Sequence, residues 1–314
     1  MQQITNTILM IRPVGFRRNE QTVENNYFQK ELLDVGMGEI QKRALTEFDN
    51  LVMKLRNAGV NVITIEDIKK TDTPDSIFPN NWISFHQNGN VAIYPMFAKN
   101  RRLERREEIL NILEERGFEI NNVIDYSSAE EEGVYLEGTG SLVLDRVSRK
   151  AYCALSSRAD EDLFIEFCED FEYTPVPFHA YHHVNSERKL IYHTNVMMAL
   201  TEKFAFICLD AIDNKKEKKN IIGHLGSDGK EIVALSEKQI NHFAGNMLQV
   251  KGMNDQPFIV MSETAFKSLT NDQIRVIESE STIIKSDVSI IETLGGGSVR
   301  CMMGEVFTKK NLNN

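Results

Sequence analysis

One recurrence constrains the fold more than any other feature. A short apolar strand, a helical segment and a second short strand follow one another about five times along the chain. The first unit runs through residues 8–11, a helix over 38–57 and a strand over 60–65. The second has a strand over 91–94, a charged helix over 101–116 and a strand over 119–123; the third has 150–155, 160–171 and 173–176. The fourth opens at 204–209 and closes near 232–235 around an irregular, polar middle; the fifth runs through 258–261, 265–278 and 282–284. Ile109, Leu110 and Leu113, then Leu163, Phe164 and Phe167, then Ile274 and Ile277 repeat at helical spacing, so each helix has one face to bury. Gly59 and Gly117 stand where a helix end takes the left-handed conformation. Such a unit cannot cover its own apolar faces, so the units must stack. The recurrence suggests a radial or solenoid assembly, with an ordinary α/β sheet as the alternative. No Pro-, Ser- or Gly-rich linker divides the chain, and a single domain over 1–314 is expected.

Of 314 residues, 41% are hydrophobic and 26% charged, ample for a large core. The net charge of −10 argues against nucleic acid or an anionic membrane as the partner. The one basic run, Lys215-Lys216-Glu217-Lys218-Lys219, reads as a solvated loop. Residues 1–10 lack the basic and apolar regions of a leader, and no apolar run approaches the roughly 18 residues that span a bilayer. Cys153, Cys168, Cys208 and Cys301 are scattered with no CxxC pair, which suits neither a disulfide framework nor a zinc site. The tandem His182-His183 lacks a third ligand at metal-binding spacing. These features point to the reducing cytoplasm, a small-molecule partner and no metal or organic cofactor. They leave the oligomeric state open.

Four polar, turn-rich segments separate the units: Phe78-Pro79-Asn80-Asn81-Trp82, Leu136-Glu137-Gly138-Thr139-Gly140, Tyr192-His193-Thr194-Asn195, and Gly295-Gly296-Gly297-Ser298-Val299-Arg300-Cys301. If the units surround an axis, these segments meet at its centre, where a rigid scaffold can carry function. Glycine lets a ligand approach the backbone, and N–H groups near residues 295–297 can face the charge that develops when Cys301 attacks. A free cysteine has a pKa of about 8.5, so it needs a partner to be a thiolate at neutral pH. His193, at the end of an apolar stretch, is the candidate, and Glu137 among glycines can approach a ligand closely. The plainer readings are a buried thiol after a turn, a core histidine and a surface glutamate. Phe78 and Trp82 either wall a pocket or belong to the core.

Together these segments resemble, over nearly the whole chain and in the right order, the guanidine-modifying superfamily of arginine deiminases, dimethylarginine hydrolases and amidinotransferases. The resemblance implies a five-bladed pseudo-symmetric α/β propeller of ββαβ units. It implies Cys301 as nucleophile, His193 as general acid and base, and Glu137 as the residue orienting the imidazole or the ligand's nitrogens. Arg158, in Leu155-Ser156-Ser157-Arg158, matches the arginine that grips a substrate α-carboxylate. Phe78, Asn80, Asn81, Asn195 and Gly296 complete the expected substrate-binding set.

The departures point to the substrate. The family's Phe-x-Arg-Asp is Phe78-Pro79-Asn80-Asn81 here, and the deiminase His-x-Asp is His193-Thr194-Asn195. Two acids that would hold a guanidinium are amides. An amide can donate N–H to a neutral carbonyl oxygen, whereas a buried cation without anions is costly. The start Met10-Ile11-Arg12-Pro13 and the segment Tyr192–Asn195 resemble the citrulline-utilisation hydrolase subgroup. The expectation is a cysteine-dependent hydrolase of the citrulline ureido group, yielding ornithine, ammonia and carbon dioxide. A guanidino-acting deiminase, dimethylarginine hydrolase or amidinotransferase is the alternative, and an amino-acid sensor without catalysis is a third reading of another class. Residues 15–19 and 25–28 are polar enough for an active-site lid.

Overall fold

One strand pattern recurs in five three-stranded sheets among the described residues. In each, the middle strand pairs antiparallel with one neighbour and parallel with the other. The computed structural model describes residues 2–32 and 35–310; the remaining positions of the domain expected over 1–314, Met1 among them, lie outside the described residues. Four sheets are contiguous in sequence: Ile83–Phe85, Asn90–Ile93 and Asn122–Asp125; Leu142–Asp145, Lys150–Ala154 and Thr174–Phe178; Met198–Leu200, Phe204–Ile207 and Glu231–Ala234; Leu248–Lys251, Pro257–Ser262 and Thr282–Ser286. The fifth joins the two ends of the chain. Gly304–Glu305 lies antiparallel to Thr7–Arg12, with Leu9 opposite Gly304, and Asn61–Glu66 lies parallel on the other side. A two-stranded hairpin, Tyr181–Val184 with Glu187–Leu190, stands apart from them. The result is an α/β fold of small separate sheets, none of which closes on itself.

Each parallel pair needs a crossover, and each crossover carries helix. Helix Met37–Asn57 buries Ile40, Ala44, Phe48, Leu51, Val52 and Leu55 on one face. Phe48 is fully buried, and truncating it to Ala costs about 3–5 kcal/mol on the usual scale for core aromatics. Helix Glu161–Asp170 starts at Asp160, whose side chain accepts from Leu163 N. No helix among the described residues is long and apolar enough to cross a membrane.

Three local expectations are corrected. The basic run at 215–219 is the first turns of helix Lys215–Ser227, capped by Asn214, whose side chain accepts from Lys216 N and Glu217 N. Only Ile221 and Leu225 of that helix are buried, so its periodicity is faint in the sequence. The expected helix over 265–278 is two, Glu263–Ser268 and Asn271–Glu278, because Thr270 starts a new capping box with Gln273. The expected helix over 101–116 is a 3-10 turn, Lys99–Glu104, followed by Glu108–Glu115. The break is at Arg105, which is extended, and it lets Arg101 and Glu104 turn inward to a buried ion pair.

The first strand of each sheet follows a site-bearing turn. Pro79–Asn81 precedes Ile83–Phe85, Gly138–Ser141 precedes Leu142–Asp145, and Thr194–Val196 precedes Met198–Leu200. A turn around Asn246 precedes Leu248–Lys251, and the turn holding Cys301 precedes Gly304–Glu305. Several of these first strands touch one another across sheets, which gathers the turns in one place.

Candidate active site

Helix Ser289–Gly295 delivers the cysteine. Its N-terminus is anchored by the Glu47 carboxylate, which accepts from Ile290 N and Ile291 N. Its C-terminus is stopped by Gly296 at φ 63, where a Cβ would lie 2.6 Å from the Asn26 amide. The next turn is tied by Cys301 N to Ser298 O at 3.0 Å and by Ser298 Oγ to Glu292 Oε1 at 2.6 Å. Cys301 Sγ receives two amide N–H groups, from Asn246 Nδ2 at 3.2 Å and Asn195 Nδ2 at 3.5 Å. The other cysteines are core residues: burial holds the Cys153 thiol far above its usual pKa and pushes Cys168 to about 12 and Cys208 to about 11.

His193 lies with its Nε2 2.8 Å from Glu137 Oε2, both side chains buried. Burial alone would raise the Glu137 carboxyl. Arg158, the hydrogen bond from His193 and Arg101 outweigh it and hold the group well below the usual carboxylate range. Burial pushes His193 down to about 4, against the pull of Glu137. The pair is therefore an ionised carboxylate and a neutral imidazole. A carboxylate only accepts, so Nε2 carries the proton and Nδ1 is left as the basic nitrogen. Glu137 Oε1 also accepts from Phe97 N at 3.0 Å, which fixes the carboxylate plane. Gly140 keeps the imidazole close, since a Cβ there would lie 2.7 Å from His193 Nδ1 and 2.4 Å from Asn81 Nδ2.

A narrow cavity reaches Cys301. Of the expected residues, His193, Asn81, Arg158 and Phe78 form its wall, with Gly295 and Gly297 on the cysteine's side. Gly296 offers its carbonyl to Tyr192 Oη at 2.7 Å. Glu137 stands behind His193 and Arg158, and Asn195 stands behind the sulfur, so only one of the two expected amides reaches the wall. Asn80 is buried beside the site: its carbonyl accepts from Thr139 Oγ1 at 3.3 Å, and its side-chain amide has no partner among the described residues. Trp82 packs in the core with Ile83 and Phe85. His183 pairs with Glu237, and no group of three or more metal-binding side chains occurs among the described residues.

Arg158 is engaged on every side, in part by Asn25 of the segment expected to act as a lid. Its Nε donates to Asn25 Oδ1 at 2.8 Å, its Nη2 to Thr22 O at 3.2 Å, and its Nη1 to Glu137 Oε2 at 3.4 Å. The guanidinium also sits 4.9 Å above the Tyr192 ring. Asn26, from the same segment, reaches the cavity wall.

Three residues at the site were not foreseen. Asp75 lines the cavity with Oδ1 unpartnered among the described residues, while its Oδ2 accepts from Asn19 Nδ2 at 2.7 Å. Arg101 donates through Nη1 to Asn81 Oδ1 at 2.8 Å and makes a two-pronged pair with Glu104 at 2.9 Å on each prong. In sequence it hides within a charged stretch that resembles a solvent-facing helix. Asn246 had a readable signal: Gly245-Asn246-Met247 stands before its strand as Asn195-Val196-Met197 and Asn81-Trp82 stand before theirs.

A search of curated proteins found no match. The family model described as "N,N dimethylarginine dimethylhydrolase, eukaryotic" matches residues 12–308. Among solved structures the chain superimposes on ArgZ, an arginine dihydrolase from the ornithine-ammonia cycle in cyanobacteria, with a TM-score of 0.72 and 17% identity over 98% of this chain and 41% of that one. The N-terminal domain of ArgZ, in a variant covalently bound to a reaction intermediate, matches with a TM-score of 0.70 and 17% identity, covering 96% of this chain and 97% of that one. A dimethylarginine dimethylaminohydrolase variant bearing an adduct with S-methyl-L-thiocitrulline matches with a TM-score of 0.63 and 14% identity, covering 96% of this chain and 99% of that one. The chain thus spans 41% of the length of whole ArgZ. At these identities the superpositions speak for the fold.

Proposed function

We propose that this chain, which belongs to the N,N dimethylarginine dimethylhydrolase family, hydrolyses the ureido C–N bond of citrulline through a covalent adduct on Cys301. Family membership makes it one of the guanidine-modifying hydrolases; the substrate and the residue roles are our reading. We take residues 1–314 as one catalytic, cytoplasmic domain whose five similar sheets are the blades of a pseudo-five-fold propeller. The sharing of one sheet by both ends of the chain supports that arrangement, and the four free cysteines suit a reducing compartment.

One observation carries the substrate assignment. Asn81, on the cavity wall, turns its oxygen to Arg101 and leaves Nδ2, packed beside Gly140 and His193, without a partner among the described residues. That free donor matches a ureido oxygen. A guanidinium is all donors and would meet it N–H to N–H. The open Oδ1 of Asp75 accepts a ureido N–H, and Arg158 takes the α-carboxylate once Asn25 yields it.

The chemistry follows from the protonation states. Neutral His193 takes the Cys301 proton, and the imidazolium is stabilised by Glu137. The thiolate, held by Asn195 and Asn246, attacks the ureido carbon. The bond from that carbon to the ornithine nitrogen breaks as His193 returns the proton to it. Water, deprotonated by His193, then attacks the S-carbamoyl carbon. Cys301 is released, and the carbamate decomposes to ammonia and carbon dioxide.

A guanidino substrate is the second reading. Family membership favours it, and so does a buried carboxylate, Asp75, on the cavity wall. The amine or ammonia released from citrulline, arginine and dimethylarginine (dimethylamine from the last), the amino-acid product of each, and mass spectrometry of the trapped enzyme separate the two. Citrulline turnover with a carbamoyl mass on Cys301 is expected. Turnover of arginine or dimethylarginine alone refutes the ureido assignment, and wild-type turnover by Cys301→Ser refutes the covalent route.

A further inference from the structure

We infer that Arg101 is a positioning residue that sets the polarity of the Asn81 amide, and that this clamp makes the cavity select a head bearing a carbonyl oxygen over one built only of donors. The inference rests on the ureido reading above and names the device that enforces it. The two orientations of an asparagine amide have nearly the same shape, so packing does not choose between them. Only the hydrogen-bond partners do.

Arg101 is such a partner and permits one answer. Its guanidinium has five N–H groups and no acceptor, and Nη1 lies 2.8 Å from Asn81 Oδ1. With the amide reversed, two buried donors would face each other and Asn81 Oδ1 would lose its partner. The Asn81 donor is therefore directed away from Arg101, and it has no partner among the described residues.

The clamp is itself rigid. Arg101 is fully buried. Glu104 holds Nε and Nη2 at 2.9 Å each, and Nη2 also donates to Phe78 O at 3.3 Å. Asp75 Oδ2 lies 3.9 Å from Nε. This fork geometry is special to arginine: a lysine at 101 can neutralise Glu104 and Asp75 as a point charge, but it cannot hold them and Asn81 together in one plane. Arg101 also places a positive charge beside the cavity head, which opposes a guanidinium there. The Arg101–Asp75 contact further weakens Asp75 as a cation site.

The experiment compares kcat/KM for L-citrulline and L-arginine in wild type, Arg101→Lys and Asn81→Asp, with thermal melts for each. Where arginine turnover is below detection, its inhibition constant against citrulline hydrolysis replaces it. In Arg101→Lys the Asn81 amide is free to reverse, and the preference for citrulline over arginine should fall about ten- to a hundred-fold, the range of one buried hydrogen bond. A merely structural role for Arg101 would lower both substrates in parallel. An unchanged ratio in a cooperatively folded variant therefore overturns the clamp. Asn81→Asp keeps Arg101 and decides the matter if Arg101→Lys does not fold. The new carboxylate should pair with Arg101, abolish citrulline preference and give no gain with arginine. A gain in arginine turnover above wild type shows that position 81 is unclamped and overturns the inference. Absence of citrulline turnover in the wild-type chain overturns the ureido reading itself, an outcome distinct from either.

Discussion

Asn246 Nδ2 lies 3.2 Å from Cys301 Sγ, while the same amide's Oδ1 accepts the N–H of Arg300, the residue before the cysteine. The turn that presents the sulfur thus also orients the group that steadies it. The second N–H of that amide goes to Asn195 O at 3.1 Å, so the donor has no freedom to turn away. An N–H aimed at sulfur favours the anion over the thiol, since a hydrogen bond to a charged acceptor is about twice as strong as one to a neutral group. Asn246→Ala should lower kcat/KM about ten-fold or more. It should also slow iodoacetamide alkylation of Cys301 at neutral pH. An unchanged alkylation rate would show that this contact does not act on the sulfur.

Glu137 serves three cationic or proton-bearing neighbours at once: His193, Arg158 and Arg101. Glu137→Gln keeps the shape and removes the charge. Loss of the imidazolium's counter-charge should reduce kcat about a hundred-fold or more, the usual range for disabling a general acid and base. Two buried guanidinium groups would lose an anion, a change of about 3–5 kcal/mol in stability for a broken buried pair. Steady-state kinetics and urea unfolding read the two effects separately. Full kcat in the folded variant would remove Glu137 from the mechanism.

Arg158 is held by Asn25, in the segment proposed as a lid, by the Thr22 carbonyl and by Glu137. If it takes the substrate α-carboxylate, Arg158→Gln should raise KM for citrulline about ten-fold or more, with a smaller change in kcat. A decarboxylated citrulline analogue, which offers nothing to grip, should be nearly indifferent to the substitution. Equal losses for the two compounds would assign Arg158 a purely architectural role. Deleting the lid should likewise raise KM sharply, and an unchanged KM would show that these residues do not cover the ligand.

His193 and two buried cysteines should each make stability depend on pH, on opposite sides of neutrality. His193 is pushed down to about 4 by burial, below the ordinary value of 6.5. The unfolded chain therefore binds its proton first, and stability is lost as pH falls from about 6.5 toward 4. Glu137, held low, acts in the same direction further into acid. Cys168 and Cys208 are pushed up from 9.0 to about 12 and 11, so their neutral burial contributes fully below pH 9 and is lost as pH rises above it. Chemical denaturation across pH 4 to 11 tests this. A ring-proton NMR titration that finds His193 protonated in the folded chain between pH 4 and 6.5 would contradict this assignment.

The strand positions were legible because a β-branched run between turn residues has few other uses, as at Thr7–Arg12 and Pro257–Ser262. The helix over 215–227 was not, because two buried residues in thirteen leave almost no periodic stripe. Cys301, His193 and Glu137 were nameable because glycines and abrupt changes from apolar to polar mark them in the chain; Arg158 was nameable only through the superfamily resemblance. Arg101 was not nameable: a charged residue among charged residues carries no mark of being buried. Asp75 lies beside a readable segment, yet nothing in its neighbours tells whether it faces water or the cavity.

Taken alone, the order of residues decided which chemical groups this protein owns, the recurrence of its units, and the presence of amides at positions 81 and 195. Only the folded arrangement decided what those amides do. One keeps an N–H without a partner among the described residues because a guanidinium holds its oxygen, and the other turns to the sulfur. The physical reason is that an amide's polarity is set by partners far away in sequence, here 20 positions for Asn81 and Arg101 and 106 for Asn195 and Cys301. Local sequence patterns carry no information at that range.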